Sequence, residues 1–212
     1  MTKIEPHPLT MDGKDVTNLR GDSISQERYY DSNFMKQEWE HLWTKIWHIA
    51  GREQQLQEAG DYIVHDFMHE SVIIIRQRDG SVRGFYNACG HRAARLVWEN
   101  SSQDSFFCPY HGWQWGLDGV LEACPDQDDF PQGDPVGKAT LVEVRVDTWA
   151  GLIWYTMDDE APDLMKYLEP TPELYKGHQF DKAVRVHWIR VELDANWKFW
   201  SDNFNESYHT RT

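Results

Sequence analysis

The sequence predicts an α+β chain: an antiparallel β-sandwich or barrel with two metal-binding hairpin loops, then the start of a second domain. Three observations predict it. Between Gly60 and Tyr155, short β-rich runs recur, separated by turn dipeptides such as Asp79-Gly80 and Asp118-Gly119. Two Cys/His pairs interrupt those runs, Cys89 with His91 and Cys108 with His111. Helical periodicity is confined to stretches before and after them.

Composition narrows the function. A chain of 212 residues holds one large domain or two small ones and can bury a real core. Its net charge of −14 argues against binding nucleic acid or an anionic membrane surface. An acidic face could attract a basic electron-transfer partner. The sequence has no apolar run of about twenty residues and no signal-peptide core. Three cysteines are too few for a disulfide framework, so the usage fits a reducing cytoplasm. Eleven tryptophans without a basic patch suggest large aromatic wedges in a core, not base stacking.

The first 21 residues are polar and broken by Pro6, Pro8 and Gly13, which predicts an extended arm. Phe34, Met35, Trp39, Leu42, Trp43 and Ile46 recur at helical spacing, so 32–47 reads as an amphipathic helix capped by Asp31 or Ser32. Ile46 to Ala50 reads as a strand, as do Asp61 to Phe67, Ser71 to Arg76 and Val82 to Tyr86. Phe106-Phe107 leads into the second metal loop, and Trp113 to Trp115 leaves it. Val120 to Glu122, Leu141 to Val146 and Trp149 to Tyr155 complete the set. The acidic, proline-broken run Asp158-Asp159-Glu160-Ala161-Pro162 is a candidate boundary. Beyond it, Ala183 to Leu193 alternates apolar and polar residues and reads as a strand of a second sheet. A last helix starts at Asp194 or Asn196 and carries Trp197, Trp200, Phe204 and Tyr208 on one face.

The chemistry sits between Asn87 and Trp115. Each loop supplies one thiolate and one imidazole, unlike a Cys₂His₂ zinc finger with its cysteines in one half and histidines in the other. The arrangement suits a Rieske [2Fe–2S] centre, whose cysteines hold one iron and whose histidines hold the other. Gly90, Pro109 and Gly112 favour loops whose amides can hydrogen-bond the sulfurs. A structural zinc site with the same four ligands is the competing reading. Cys124 is left as a small, partly buried thiol. His7, His41, His48, His65, His69, His178 and His187 lack ligand spacing and read as surface or packing residues.

On the last helix, Glu206 and His209 stand three apart and project side by side, a weak signal alone. The metal loops, the Cys108-Pro-Tyr-His111-Gly-Trp113 run, and Asn196-Trp197-Lys198 with Asp202-Asn203-Phe204-Asn205-Glu206-Ser207-Tyr208-His209 resemble the α subunit of Rieske non-haem iron oxygenases. That resemblance implies an arm and helix over 1–44 packing on the catalytic domain, a Rieske domain over 45–158, and the beginning of an incomplete helix-grip catalytic domain over 159–212. It implies that Cys89, His91, Cys108 and His111 hold the [2Fe–2S] cluster, and that His209 is the first ligand of a mononuclear Fe(II). Glu206 becomes the carboxylate bridging a Rieske histidine to a neighbouring subunit's iron site, with His111 as the histidine it faces. Asn203 matches a motif asparagine near the iron.

The sequence departs from the family pattern in several places. Glu206 stands where Asp is usual, Ala93 stands where Gly usually follows Cys-x-His-Arg, and the remaining two iron ligands do not occur before Thr212. The chain therefore reads as the N-terminal part of a longer subunit. The implied partners are a reductase, directly or through a ferredoxin, O₂ and a small organic substrate, in a homotrimer with or without a β subunit. An aromatic or similarly hydrophobic substrate is expected first, and a quaternary ammonium or demethylation substrate second. A Rieske ferredoxin without catalysis is the alternative, although such a carrier has no need of Asn196 to His209. The respiratory Rieske type carries an extra cysteine in each loop; here Ala94 and Tyr110 occupy those places, and the expected potential is low, about −150 mV.

Overall fold

The computed structural model describes residues 23–205. The chain divides into two compact units, one made of 1–35 with 193–212 and the other of 36–192.

Within the larger unit, helix α2 (Ser32–Glu38, which begins in the smaller unit) gives way to a π-helical turn at Trp39–Trp43. The expected single helix over 32–47 is therefore shorter and changes pitch. Trp43 stands edge-on to Phe67 at 5.3 Å, and Trp39 stacks near the same ring at 6.4 Å. Ten strands follow: β1 (Trp47–Arg52), β2 (Asp61–Phe67), β3 (Glu70–Arg76), β4 (Val82–Tyr86), β5 (Ser101–Ser102), β6 (Ser105–Phe107), β7 (Gln114–Gly116), β8 (Leu121–Ala123), β9 (Glu143–Trp149) and β10 (Leu152–Thr156). They form a seven-stranded sheet of order β1-β10-β9-β4-β3-β2-β5 and a three-stranded sheet of order β6-β7-β8. The pairings within them are antiparallel.

The sequence of β3 shows why the larger sheet sits centrally. Val72-Ile73-Ile74-Ile75 is a continuous apolar run, the pattern of a strand covered on both faces. Ile73 and Ile75 join Tyr62, Phe85, Phe106, Trp115 and Leu121 in one core. Val72 and Ile74 turn the other way, onto Ile63, Val144, Ile153 and Tyr155. Full burial of each isoleucine stabilises by about 1.5–3 kcal/mol, so this strand anchors both layers.

Several strand limits differ from expectation. β1 begins one residue after Ile46 and extends to Arg52. The single run expected over 149–155 is divided, because Ala150 and Gly151 take positive φ (59° and 73°) and turn β9 into β10. β5, which had no sequence signal, pairs with β2 through two residues. The stretch Ala183 to Leu193 forms no strand, and its apolar residues face solvent, with Val186 91% exposed. A strand needs a neighbour for its backbone groups, and none lies beside it among the described residues. The acidic run after β10 packs back on the sheet: Trp47 Nε1 donates to Pro162 O (3.0 Å), and Leu164, in helix α3 (Leu164–Tyr167), is fully buried. Helix α4 (Thr171–Leu174) follows Pro170 and has Pro172 in its first turn, where a missing N–H costs least.

In the smaller unit, helix α1 (Glu27–Tyr30) and helix α5 (Trp197–Phe204) are described. Of the two expected start residues it is Asn196 that caps α5, its side chain accepting from Lys198 N at 3.0 Å. Tyr29 Oη donates to Asp202 at 2.5 Å, and Lys198 lies over the Phe34 ring at 5.1 Å.

Candidate metal centre

Two loops build the site on a shared backbone plan. In the first, Cys89 N donates to Ala94 O and Ala93 N donates to Cys89 O, both at 2.8 Å. In the second, Cys108 N donates to Trp113 O (2.7 Å) and Gly112 N donates to Cys108 O (3.0 Å). Each cysteine is thus tied to the residues four and five positions on. The residue four positions on is left-handed in both loops, Ala93 at φ 53° and Gly112 at φ 72°. Glycine meets that requirement in one loop, while alanine holds it in the other against its own Cβ. The second loop caps the β6–β7 hairpin. The first runs from β4 to the edge strand β5, with β3 and β2 lying between them in the sheet.

A buried asparagine braces the first loop. Asn87, 4% exposed, donates through Nδ2 to Val97 O (2.6 Å) and Ser71 Oγ (3.0 Å). Its Oδ1 accepts from the amides of Leu96 and Val97, both at 3.1 Å. Arg95 adds an ion pair to Asp66 at 2.9 Å, fixing the loop to β2. Motif spacing alone did not assign either residue a role.

The four expected ligands come together. Cys89 and Cys108 are buried, and Cys108 is close enough to hydrogen-bond the Cys89 thiol. Burial first, and then the Cys108 side chain, push the Cys89 thiol up, while hydrogen bonds from the His91 backbone amide and the Trp115 indole oppose the rise. His91 and His111 are half-buried and stand edge-on with ring centroids 4.9 Å apart. Trp113 stacks flat on His91 at 4.7 Å with 5° between planes, and Tyr110 lies against His111 at 3.8 Å. His91 is held below its ordinary pKa by burial, then by His111 and Arg92.

The unpaired atoms indicate which group the donor set fits. Nδ1 of His91 and Nδ1 of His111 are both buried without a hydrogen-bond partner. Such nitrogens are costly unless something binds them. Among the described residues no three His, Cys, Asp or Glu side chains converge on a point as they would around a single ion. A binuclear cluster needs only two protein ligands on each iron, and two thiols beside two unpaired imidazole nitrogens supply that set. The donors therefore fit a [2Fe–2S] group with cysteines on the inner iron and histidines on the outer one.

Beside the histidines lies an open groove of about 560 Å³, walled by Trp113, Pro125, Asp126, Asp129, Phe130 and Pro131. Sequence reading gave 125–131 no role. Cys124 is partly buried and stands apart from the ligand set, its thiol raised by burial, Asp134 and Asp126. Asn203 is exposed on α5. Glu206 and His209 lie outside the described residues. No helix among the described residues is long and apolar enough to cross a membrane.

Known proteins share both halves of this arrangement. Residues 46–144 match the Rieske [2Fe-2S] domain, and residues 180–212 match the ring hydroxylating alpha subunit (catalytic domain). The chain is 34% identical to the carnitine monooxygenase oxygenase subunit of Escherichia coli K12, over 88% of this chain and 50% of that protein. It is 29% identical to the biphenyl 2,3-dioxygenase subunit alpha of Rhodococcus jostii RHA1, over 98% of this chain and 46% of that one. The crystal structure of the apo form of a quaternary ammonium Rieske monooxygenase superposes with a TM-score of 0.81 at 29% identity, covering 88% of this chain and 55% of the other. The chain spans about half the length of the relatives it matches.

Proposed function

Because this chain carries a Rieske domain joined to the start of a ring-hydroxylating α-subunit catalytic domain, we propose that it is the electron-receiving part of a Rieske non-haem iron oxygenase. The observation that carries the proposal is the pair of buried, unpartnered Nδ1 atoms on His91 and His111 beside the two buried thiols. We assign Cys89 and Cys108 to one iron of the cluster and His91 and His111 to the other. His209 is assigned to a mononuclear iron. The metal groups, when bound, supply one-electron transfer from a reductase or ferredoxin and O₂ activation for hydroxylation of a small organic substrate.

The chain's own residues prepare that chemistry. Burial on the sheet keeps water from the cysteines, and Trp113 fixes the plane of the His91 ring. The Asn87 bonds hold the first loop at the spacing that sets His91 against His111. With Nδ1 given to metal, the second nitrogen of each ring is free to meet a partner outside. Glu206 is the proposed acceptor, reached from a neighbouring copy in a homotrimer, with or without a β subunit. The cluster domain covers 45–158, and the catalytic domain begins at 159. The proposed compartment is the cytoplasm, where thiols stay reduced.

The substrate proposed first is aromatic or similarly hydrophobic, by the resemblance to biphenyl and chlorobenzene dioxygenase subunits. A quaternary ammonium substrate is the second reading, favoured by the carnitine and choline monooxygenases among the relatives and by glutamate in the bridging position. Spectroscopy tests the core of the proposal. Anaerobically purified protein should be red-brown, hold about two irons per chain and give a rhombic EPR signal when reduced. A colourless protein containing stoichiometric zinc would overturn it.

A further inference from the structure

Trp115 is the fully buried residue in β7 that pairs with Phe106 of β6. Its indole Nε1 is buried without a hydrogen-bond partner, the third such atom in this region after the two histidine nitrogens. The ring lies directly beneath the first metal loop: a Cβ at Gly90 would come within 2.9 Å of its Cη2. Trp113 stands 5.7 Å away and stacks on His91, so one indole serves the histidine side and the other lies on the cysteine side. The indole faces the Cys89 thiol, a weak acceptor that leaves Nε1 without a well-formed hydrogen bond.

An indole nitrogen has only a proton to offer and cannot serve as a ligand. A neutral thiol is a weak acceptor for that proton, whereas an iron-bound thiolate or sulfide carries negative charge and accepts well. Hydrogen bonds to cluster sulfurs are among the factors that set reduction potential, because they favour the state with the added electron. The cluster assigned above would turn the weak acceptor on the Cys89 side into a charged one.

We propose that Trp115 is a positioning and tuning residue whose indole N–H donates a hydrogen bond to a cluster sulfur on the Cys89 side, raising the reduction potential. The proposal rests on the cluster reading of the four ligands. Trp115→Phe keeps an aromatic wedge and removes the donor. At unchanged iron content, its midpoint potential should fall by the equivalent of about a tenfold change in the oxidised-to-reduced ratio, about 59 mV for one electron. Reduced wild-type protein labelled with ¹⁵N in its indoles should show one indole nitrogen coupled to the cluster spin, and the variant should lack it. An unchanged potential in a loaded variant, or no indole coupling in the wild type, would overturn the role of Trp115. Should the variant fail to load, the labelled wild type still decides. A wild type that takes up no [2Fe–2S] cluster would instead fail the underlying reading, and this proposal with it.

Discussion

Replacing Asn87 with alanine removes four hydrogen bonds from one buried point and leaves the site's ligands untouched. Val97 O keeps a second donor, Arg95 Nε at 2.8 Å, and Ser71 Oγ can turn elsewhere. The amides of Leu96 and Val97 have no such recourse, since both residues are buried. Each buried amide left unsatisfied costs about 1–3 kcal/mol, giving about 2–6 kcal/mol in all. That is a large share of a typical stability of about 5–15 kcal/mol. Urea denaturation should therefore show a markedly lower midpoint, and iron retained after desalting should fall because the loop carrying Cys89 and His91 loosens. Ser71→Ala, which removes one of the four bonds, should cost less than about 1 kcal/mol. A loss below about 1 kcal/mol for Asn87→Ala, with full iron retention, would refute the idea that this side chain holds the loop.

Further outcomes follow from the same geometry. Ala93→Gly should stabilise: relief of the left-handed strain is worth about 1–2 kcal/mol, against about 0.5–1 kcal/mol of added unfolded-state entropy. A midpoint in urea that falls instead would show that Ala93 is unstrained at φ 53°. His48 and His65 are both held below their ordinary value of 6.5 by burial, and the charge of His48 lowers His65 further. The unfolded chain takes up protons below about 6.5 that the folded chain refuses, so stability should be whole above that pH and decline as pH falls toward the depressed values. Denaturation midpoints measured from about pH 7.5 to about pH 5 should show this decline, less steeply in His65→Gln; identical slopes would remove His65 from the explanation. Glu206→Gln should abolish substrate turnover while the cluster still reduces, and normal turnover would exclude the bridging role.

The sequence by itself determined what is local. Residue type and spacing singled out Cys89, His91, Cys108 and His111, because two side chains on a short loop lie close together in any fold that loop adopts; that the two loops meet is the work of the fold. β2 and β4 have the expected limits because side-chain alternation and the Asp79-Gly80 turn are properties of neighbouring residues. Tertiary structure decided whatever needs a distant partner. Ala183 to Leu193 has the alternation of a strand and forms none, since hydrogen-bonded neighbours are not encoded in its own residues. β5 pairs with β2 despite offering two serines and no pattern. That Asn87 clamps a loop, that Ala93 repeats the left-handed geometry of Gly112, and that Trp115 lies buried beneath Gly90 on the Cys89 side became visible only on folding. Hydrogen bonds and burial depend on where the chain returns in space, and one-dimensional spacing records that only for residues a turn or a strand apart.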